Sequence, residues 1–317
     1  MDSSIKVSIV CLAYNHEKYI RQTLDGFLMQ KVNFNYEILI HDDASTDNTA
    51  DIIREYQSKF PNIVKPIFQT ENQHSKRVKI SHTFVYPKAR GKYIALCEGD
   101  DFWIDEDKLQ KQVDFLENNP KYSCCTHAYN LLDMRVNETK PVFSFPCSKT
   151  VTTEEAIEGD GSLFATNSIV AHADLVTNPP DFRKNFCVGD YPLIIHMAFA
   201  GKIYYMNEVM STYRYMVPGS WTHRNIGTDI EKLRKHTERI ISDINEADRY
   251  SEFKFHKSFE KVIEKKRYFY DKNVLSPVAL MKRYPLLFKS TLKDKVYRFI
   301  NRHFPFVLKL AKIFKRN

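Results

Sequence analysis

Glycine and proline are scarce, with 9 and 13 among 317 residues. That scarcity excludes collagen-like and low-complexity chains and points to well-formed helices and strands. No stretch reaches the roughly 18 consecutive apolar residues that a membrane-spanning helix requires. The opening Met1-Asp-Ser-Ser lacks the basic start and apolar run of a secretory signal. The 6 cysteines (Cys11, Cys97, Cys124, Cys125, Cys147, Cys187) contain no CxxC pair and no histidine partner at zinc spacing. Several sit inside apolar runs, so they read as small buried hydrophobes in a reducing compartment, and a cytoplasmic location is expected. The glycine patterns of dinucleotide and P-loop sites, the HExxH helix and the GxSxG elbow are all missing, and no internal repeat is visible.

What is present is ordinary globular composition, 43% hydrophobic and 27% charged, at a length suited to one large α/β unit with an appendage. The net charge of +8 is unevenly placed. Residues 281–317 carry 11 Lys or Arg against the single acid Asp294, leaving a body of 36 basic and 38 acidic residues. The basic excess belongs to the tail, so a nucleic-acid partner is not expected. Within 290–314, Leu292, Val296, Phe299, Ile300, Phe306, Val307, Leu310, Ile313 and Phe314 alternate with basic residues. This is the pattern of a basic amphipathic helix pair suited to an anionic membrane surface.

Apolar runs and helical stripes alternate along the first hundred residues. Lys6–Ala13 reads as a buried strand, with Asn15 placed to cap the helix of Ile20, Leu24, Phe27 and Leu28. Tyr36–His41 is a second strand, followed by a helix marked by Ile52, Ile53, Tyr56 and Phe60. A third strand is expected over 63–69, a third helix over 79–89 and a fourth strand over 93–97. Such alternation implies βαβ units and a mostly parallel sheet flanked by helices. Farther on, 108–118 and 190–200 read as helices, and 123–128, 162–171, 203–206 and 209–215 as strands. The segment after 228 reads as helix, with Ile230, Leu233, His236, Thr237, Ile240, Ile241 and Ile244 on one face. Pro218-Gly219-Ser220 and Gly227 break the pattern, placing a boundary near 220–227.

Ligands of open α/β sheets bind beyond the carboxyl ends of the strands. Here those ends carry Tyr14-Asn15, Asp42-Asp43 and Glu98-Gly-Asp-Asp101. Three carboxylates within four residues repel one another unless a cation neutralises them, which suits a hard divalent ion; the alternative is a solvated turn with a helix cap. The second acidic pair at a neighbouring strand end favours the ion. A divalent ion with few protein ligands completes its shell with phosphate oxygens and water.

Four segments, Val7–Asn15, Ile40–Asp47, Gly91–Trp103 and Val188–Leu193, make residues 5 to about 222 resemble a family 2 glycosyltransferase of the GT-A fold, the bacterial group that builds surface polysaccharides from nucleotide sugars. The resemblance implies a GT-A catalytic domain over 1–225 and a helical C-terminal region over 226–317. It implies that Tyr14 packs on the nucleotide base, that Asp43 hydrogen-bonds it, and that Asp42 and Asn15 stand beside them. Glu98, Asp100 and Asp101 fall on an Asp-x-Asp-Asp element, with Glu98 a longer replacement. One of the two aspartates would meet the ribose and the other the metal, in an order left open. Asp190 matches the catalytic base, and Arg214 or His223 would meet the diphosphate or metal. The implied activity is inverting transfer, assisted by Mn²⁺ or Mg²⁺, from a UDP-sugar to a glycan or lipid-linked acceptor at the inner face of the membrane. A sugar nucleotidyltransferase and a catalytically silent glycan-binding protein are the competing readings.

Overall fold

The structure, a computed structural model, describes residues 4–220, 223 and 229–288. The elements run β1 (Ile5–Ala13), α1 (Ile20–Leu28), β2 (Asn35–Asp42), α2 (Thr49–Lys59), β3 (Val64–Phe68), β4 (Tyr93–Leu96), β5 (Phe102–Trp103) and α3 (Lys108–Asn118). They continue through β6 (Tyr122–Asp133), β7 (Glu138–Val142), β8 (Lys149–Val151), α4 (Thr153–Glu158), β9 (Val170–His172), α5 (Ala173–Thr177), α6 (Asp181–Asn185), α7 (Asp190–Ala200) and β10 (Lys202–Tyr215). Three further helices follow: α8 (Ile230–Tyr250), α9 (His256–Val274) and α10 (Pro277–Arg283).

The main path of the sheet is β3-β2-β1-β4-β9-β6-β10-β5. Its first four strands are parallel, as expected from the alternating pattern. The other half is mixed: β9 runs antiparallel to both β4 and β6, while β6 and β10 are parallel. Ala13 pairs with Asp42 and Val10 with Leu96, so β1, β2 and β4 end at one edge of the sheet.

Alternation along β1 sends Val7, Ile9 and Cys11 to a core shared with Leu24, Phe27, Ile53, Trp103 and Leu116. Val10 faces the other way, into a core with Leu96, Val176, Leu193 and Met197. A third cluster joins Phe182, Phe186, Tyr191 and Ile195 to Ile240, Ile244, Phe259 and Val262, so α8 and α9 share a core with α6 and α7. Burying apolar area of this kind contributes about 25 cal/mol per Å², which binds the helical region firmly to the sheet unit.

Four local expectations need correction. Residues 79–89 form a five-residue π-type turn (Ser81–Val85) and a short 3-10 turn (Tyr86–Lys88) instead of a regular helix; Pro87, lacking an N–H, sits in the second turn. Only Val170–His172 of 162–171 is strand, because Ser168 and Asn167 turn inward to hydrogen-bond. The two strands expected at 203–206 and 209–215 are one, β10, with register shifts between Met206 and Ser211. Ile230 is 50% exposed, and the buried stripe of α8 begins at Thr237. The amphipathic pair read over 290–314 lies outside the described residues.

Candidate active site

At the end of β1, Asn15 takes the left-handed backbone conformation (φ 56°), which asparagine tolerates better than most residues. It does not cap α1, whose start has no side-chain cap. Its N–H donates to Ser45 Oγ at 2.9 Å, and its Oδ1 accepts from Thr46 N–H at 2.8 Å. Asn15 therefore clasps the loop after β2. Asp43, buried, takes the N–H groups of Gln73 (2.8 Å) and His74 (3.0 Å), one on each carboxylate oxygen. Asp42, equally buried, accepts from Ser45 N–H through Oδ2 at 3.2 Å, while its Oδ1 has no partner among the described residues. Tyr14 is 42% exposed although the residue before it is buried, which leaves an aromatic side chain accessible at the end of β1.

The acidic loop leaves β4 pinned to β1, with Cys97 N–H on Val10 O (3.1 Å) and Gly99 N–H on Leu12 O (2.8 Å). A side chain at Gly99 would place its Cβ 2.8 Å from His16 Nδ1, so only glycine lets the loop lie this close. The two aspartates then part company. Asp101 is buried, its Oδ1 accepting from Arg214 N–H (2.8 Å), its Oδ2 from Asn167 Nδ2 (3.1 Å) and its carbonyl from Thr23 Oγ1 (2.6 Å). Burial, reinforced by the charge of Asp100, pushes its carboxyl well above the usual range. Asp100 is only half-buried, and its backbone carbonyl accepts from Arg214.

Arg214 is 5% exposed and acts as a clamp beneath this loop. Its Nη1 donates to the Asp100 carbonyl at 2.5 Å and its Nη2 to Gln22 Oε1, while the guanidinium lies 4.4 Å from the Phe102 ring centroid and 5.0 Å from that of Tyr19. Such cation–π contacts are strongest when desolvated, as here. Its geometry is that of a residue shaping the loop from below. His223 is exposed, its N–H donating to Ser220 Oγ at 3.2 Å.

Asp190 is the first residue of α7, where a carboxylate complements the helix dipole. Its Oδ1 accepts from Tyr191 N–H at 2.8 Å. Burial raises its carboxyl above the ordinary value, and that hydrogen bond works against the rise. Glu98 is pushed up to about 8 by burial, then by the charges of Asp100 and Asp190. Glu98 therefore feels the charges of both Asp100 and Asp190. Among the described residues no group of three or more His, Cys, Asp or Glu forms a self-contained metal cage. The donors present are hard carboxylate oxygens, with Arg214 the neighbouring cation, and such donors fit a divalent ion that takes much of its shell from a diphosphate.

Sequence reasoning missed His16, Thr23 and Asn167. Thr23 lies on the helical stripe of α1, and Asn167 in a stretch read as strand; neither carries a motif. Only the tight Glu98-Gly-Asp sequence hinted that something must approach Gly99.

A mixed sheet whose parallel half gathers the ends of β1, β2 and β4 at one edge, with helices on both faces, is the arrangement of a GT-A fold. Residues 8–160 match the family described as Glycosyl transferase family 2. An uncharacterised protein of Mycobacterium tuberculosis H37Rv is 36% identical over 220 residues, covering 68% of this chain and 60% of its own length. The chain thus spans about 60% of that mycobacterial relative. The putative teichuronic acid biosynthesis glycosyltransferase TuaG of Bacillus subtilis is 25% identical over 209 residues, or 66% of this chain and 78% of TuaG. In fold, the chain resembles S. aureus TarS, solved in complex with UDP-GlcNAc, with a TM-score of 0.61 at 15% identity over 92% of this chain and 78% of that one. Over residues 8–160 the chain is thus similar to glycosyltransferase family 2.

Proposed function

We propose that this protein is an inverting, metal-dependent glycosyltransferase that moves a sugar from a nucleotide sugar, a UDP-sugar, to a hydroxyl of a glycan or lipid-linked acceptor in surface polysaccharide synthesis. The observation that carries the reading is that the Asp42-Asp43 and Glu98–Asp101 loops are both fastened to the end of β1, at the edge where β1, β2 and β4 finish. The donor would lie along that edge with its base on Tyr14. An unpaired buried carboxylate oxygen is costly, so the free Oδ1 of Asp42 is the acceptor left for a base N–H, with Asp43 fixing the 72–74 turn as a wall. This division of labour reverses the one implied by the sequence resemblance.

Asp100 is the acidic-loop residue available to hold Mn²⁺ or Mg²⁺; Asp101 spends both oxygens on the protein. When bound, such an ion supplies Lewis-acid stabilisation of the charge that leaves with the nucleoside diphosphate. Asp190 accepts the proton of the attacking hydroxyl through its carboxylate, on the acceptor side of the sugar. Its raised pKa brings it nearer to the operating pH, where a general base is most effective. One in-line displacement inverts the anomeric centre and needs no covalent intermediate. The tail, 281–317, is assigned to the anionic inner face of the membrane; the charge pattern supports this, each basic residue near such a surface contributing about 1 kcal/mol.

A panel of UDP-GlcNAc, UDP-glucose and GDP-mannose incubated with the protein and Mn²⁺ tests the reading. Release of nucleoside diphosphate supports it, release of pyrophosphate indicates a nucleotidyltransferase, and binding without turnover indicates a silent glycan-binding protein.

A further inference from the structure

Helix α9 lies beyond the residues matched to the family, yet it grips the turn beside Asp190. Ser258 Oγ and Lys261 Nζ bond Glu158 Oε1 at 2.8 and 2.7 Å, and Lys265 Nζ bonds the Glu158 carbonyl at 2.8 Å. One position farther, Lys266 Nζ meets Asp160 Oδ2 at 2.5 Å. The other oxygen of Asp160 accepts from Gly161 N–H at 2.8 Å. Gly161 faces the base directly, since a Cβ built there would lie 3.8 and 4.0 Å from the two carboxylate oxygens of Asp190. From the other side, Tyr191 Oη donates to the Ile157 carbonyl at 2.9 Å.

We infer that Lys266 is a positioning residue for the transfer reaction: by pairing with Asp160 it keeps an unbalanced negative charge from facing Asp190 and fixes the turn against which the acceptor hydroxyl is presented. The inference rests on Asp190 being the base. Among the described residues, the charged groups that face Asp190 are Asp160 from the turn, Lys266 from α9 and Glu98 from the acidic loop. Of these, Lys266 alone is positive. Asp160 pushes the Asp190 carboxyl upward and Lys266 draws it down, beneath the larger effect of burial. Both members of the pair are about a quarter exposed, so water screens the effect and a moderate shift is expected.

The test is the pH dependence of kcat for the full chain, with Mn²⁺ and whichever of UDP-GlcNAc, UDP-glucose or GDP-mannose it hydrolyses fastest. In Lys266→Met the acidic limb should move up by about half a pH unit, with kcat on the slope below its midpoint falling about threefold and the donor KM unchanged. Lys266→Arg should hold the wild-type limb. Asp160→Asn/Lys266→Met should bring the limb back, which a merely structural ion pair would not do. A limb that stays in place in Lys266→Met, or one that moves equally in the double variant, overturns the inference. Asp190→Asn separates the two layers. If it removes the limb while Lys266→Met leaves it alone, only this inference fails; if it keeps normal turnover, the assignment of the base fails.

Discussion

The backbone N–H of Arg214 donates to Oδ1 of Asp101 across 2.8 Å, fastening β10 to the acidic loop. Because Asn167 Nδ2 holds the other oxygen and Thr23 the carbonyl, Asp101 is a keystone of the fold, and Asp100 is the neighbour free to meet a ligand. Two adjacent aspartates should therefore fail differently. Asp101→Ala strands buried donors and should cost about 2–4 kcal/mol of stability. Asp100→Ala should leave the melting temperature nearly unchanged while removing Mn²⁺-dependent UDP binding in calorimetry. Equal loss of stability in both variants would contradict the division.

Chelation should act like Asp100→Ala. EDTA is expected to abolish turnover, and Mn²⁺ or Mg²⁺ to restore it. Full activity in chelator would remove the ion from the account.

Asp190→Asn should preserve fold and donor affinity, since the amide oxygen still accepts from Tyr191 N–H. Loss of the proton acceptor should lower kcat by about 10²- to 10⁴-fold with little change in donor KM. Parallel titrations of UDP against wild type and variant supply the control.

Lys108 offers a test of the core behind the site. It is fully buried, its Nζ 3.9 Å from the Trp103 ring centroid and 2.8 Å from Gln112 Oε1, and burial draws its ammonium down to about 7. From about pH 7 toward the ordinary lysine value near 10.4, the unfolded chain holds a proton that the folded one lacks, so stability should rise with pH over that window. Urea midpoints at pH 7 and 9 should rise more for wild type than for Lys108→Met. An identical rise in both proteins would show that Lys108 does not lose its proton on folding.

For the membrane assignment, the cut belongs after residue 288. Leu280 and Tyr284 are buried, and Tyr284 Oη bonds Asp271 Oδ2 at 2.6 Å, so truncating earlier would remove packed residues. The full chain should sediment with anionic vesicles at low salt and the 1–288 chain should not. Binding indifferent to salt, lipid charge or the truncation would refute the role of the tail.

Much of this was legible in the sequence, for identifiable reasons. The runs Val7–Ala13 and Tyr93–Cys97 are apolar on both faces because helices cover both, and helices 108–118 and 190–200 appear with the expected bounds because their signals are local. That the Asp42-Asp43 and Glu98–Asp101 segments lie at one sheet edge followed from the strand ends. What escaped was long-range. Nothing local announces that Tyr19, Gln22, Asp100 and Phe102 will enclose Arg214. Asn15 read as a cap because loop-to-loop bonds 30 residues apart leave no periodic trace. The strand expected over 162–171 dissolved because Asn167 is drawn to Asp101, 66 positions away.

The most direct test of the central claim measures the products formed from a nucleotide sugar in the presence of Mn²⁺, for wild type and Asp190→Asn side by side. The account predicts that wild type releases nucleoside diphosphate and free or transferred sugar in equal amounts, and that Asp190→Asn binds the donor normally but releases almost none. Pyrophosphate as the product, or undiminished diphosphate release by Asp190→Asn, would contradict it.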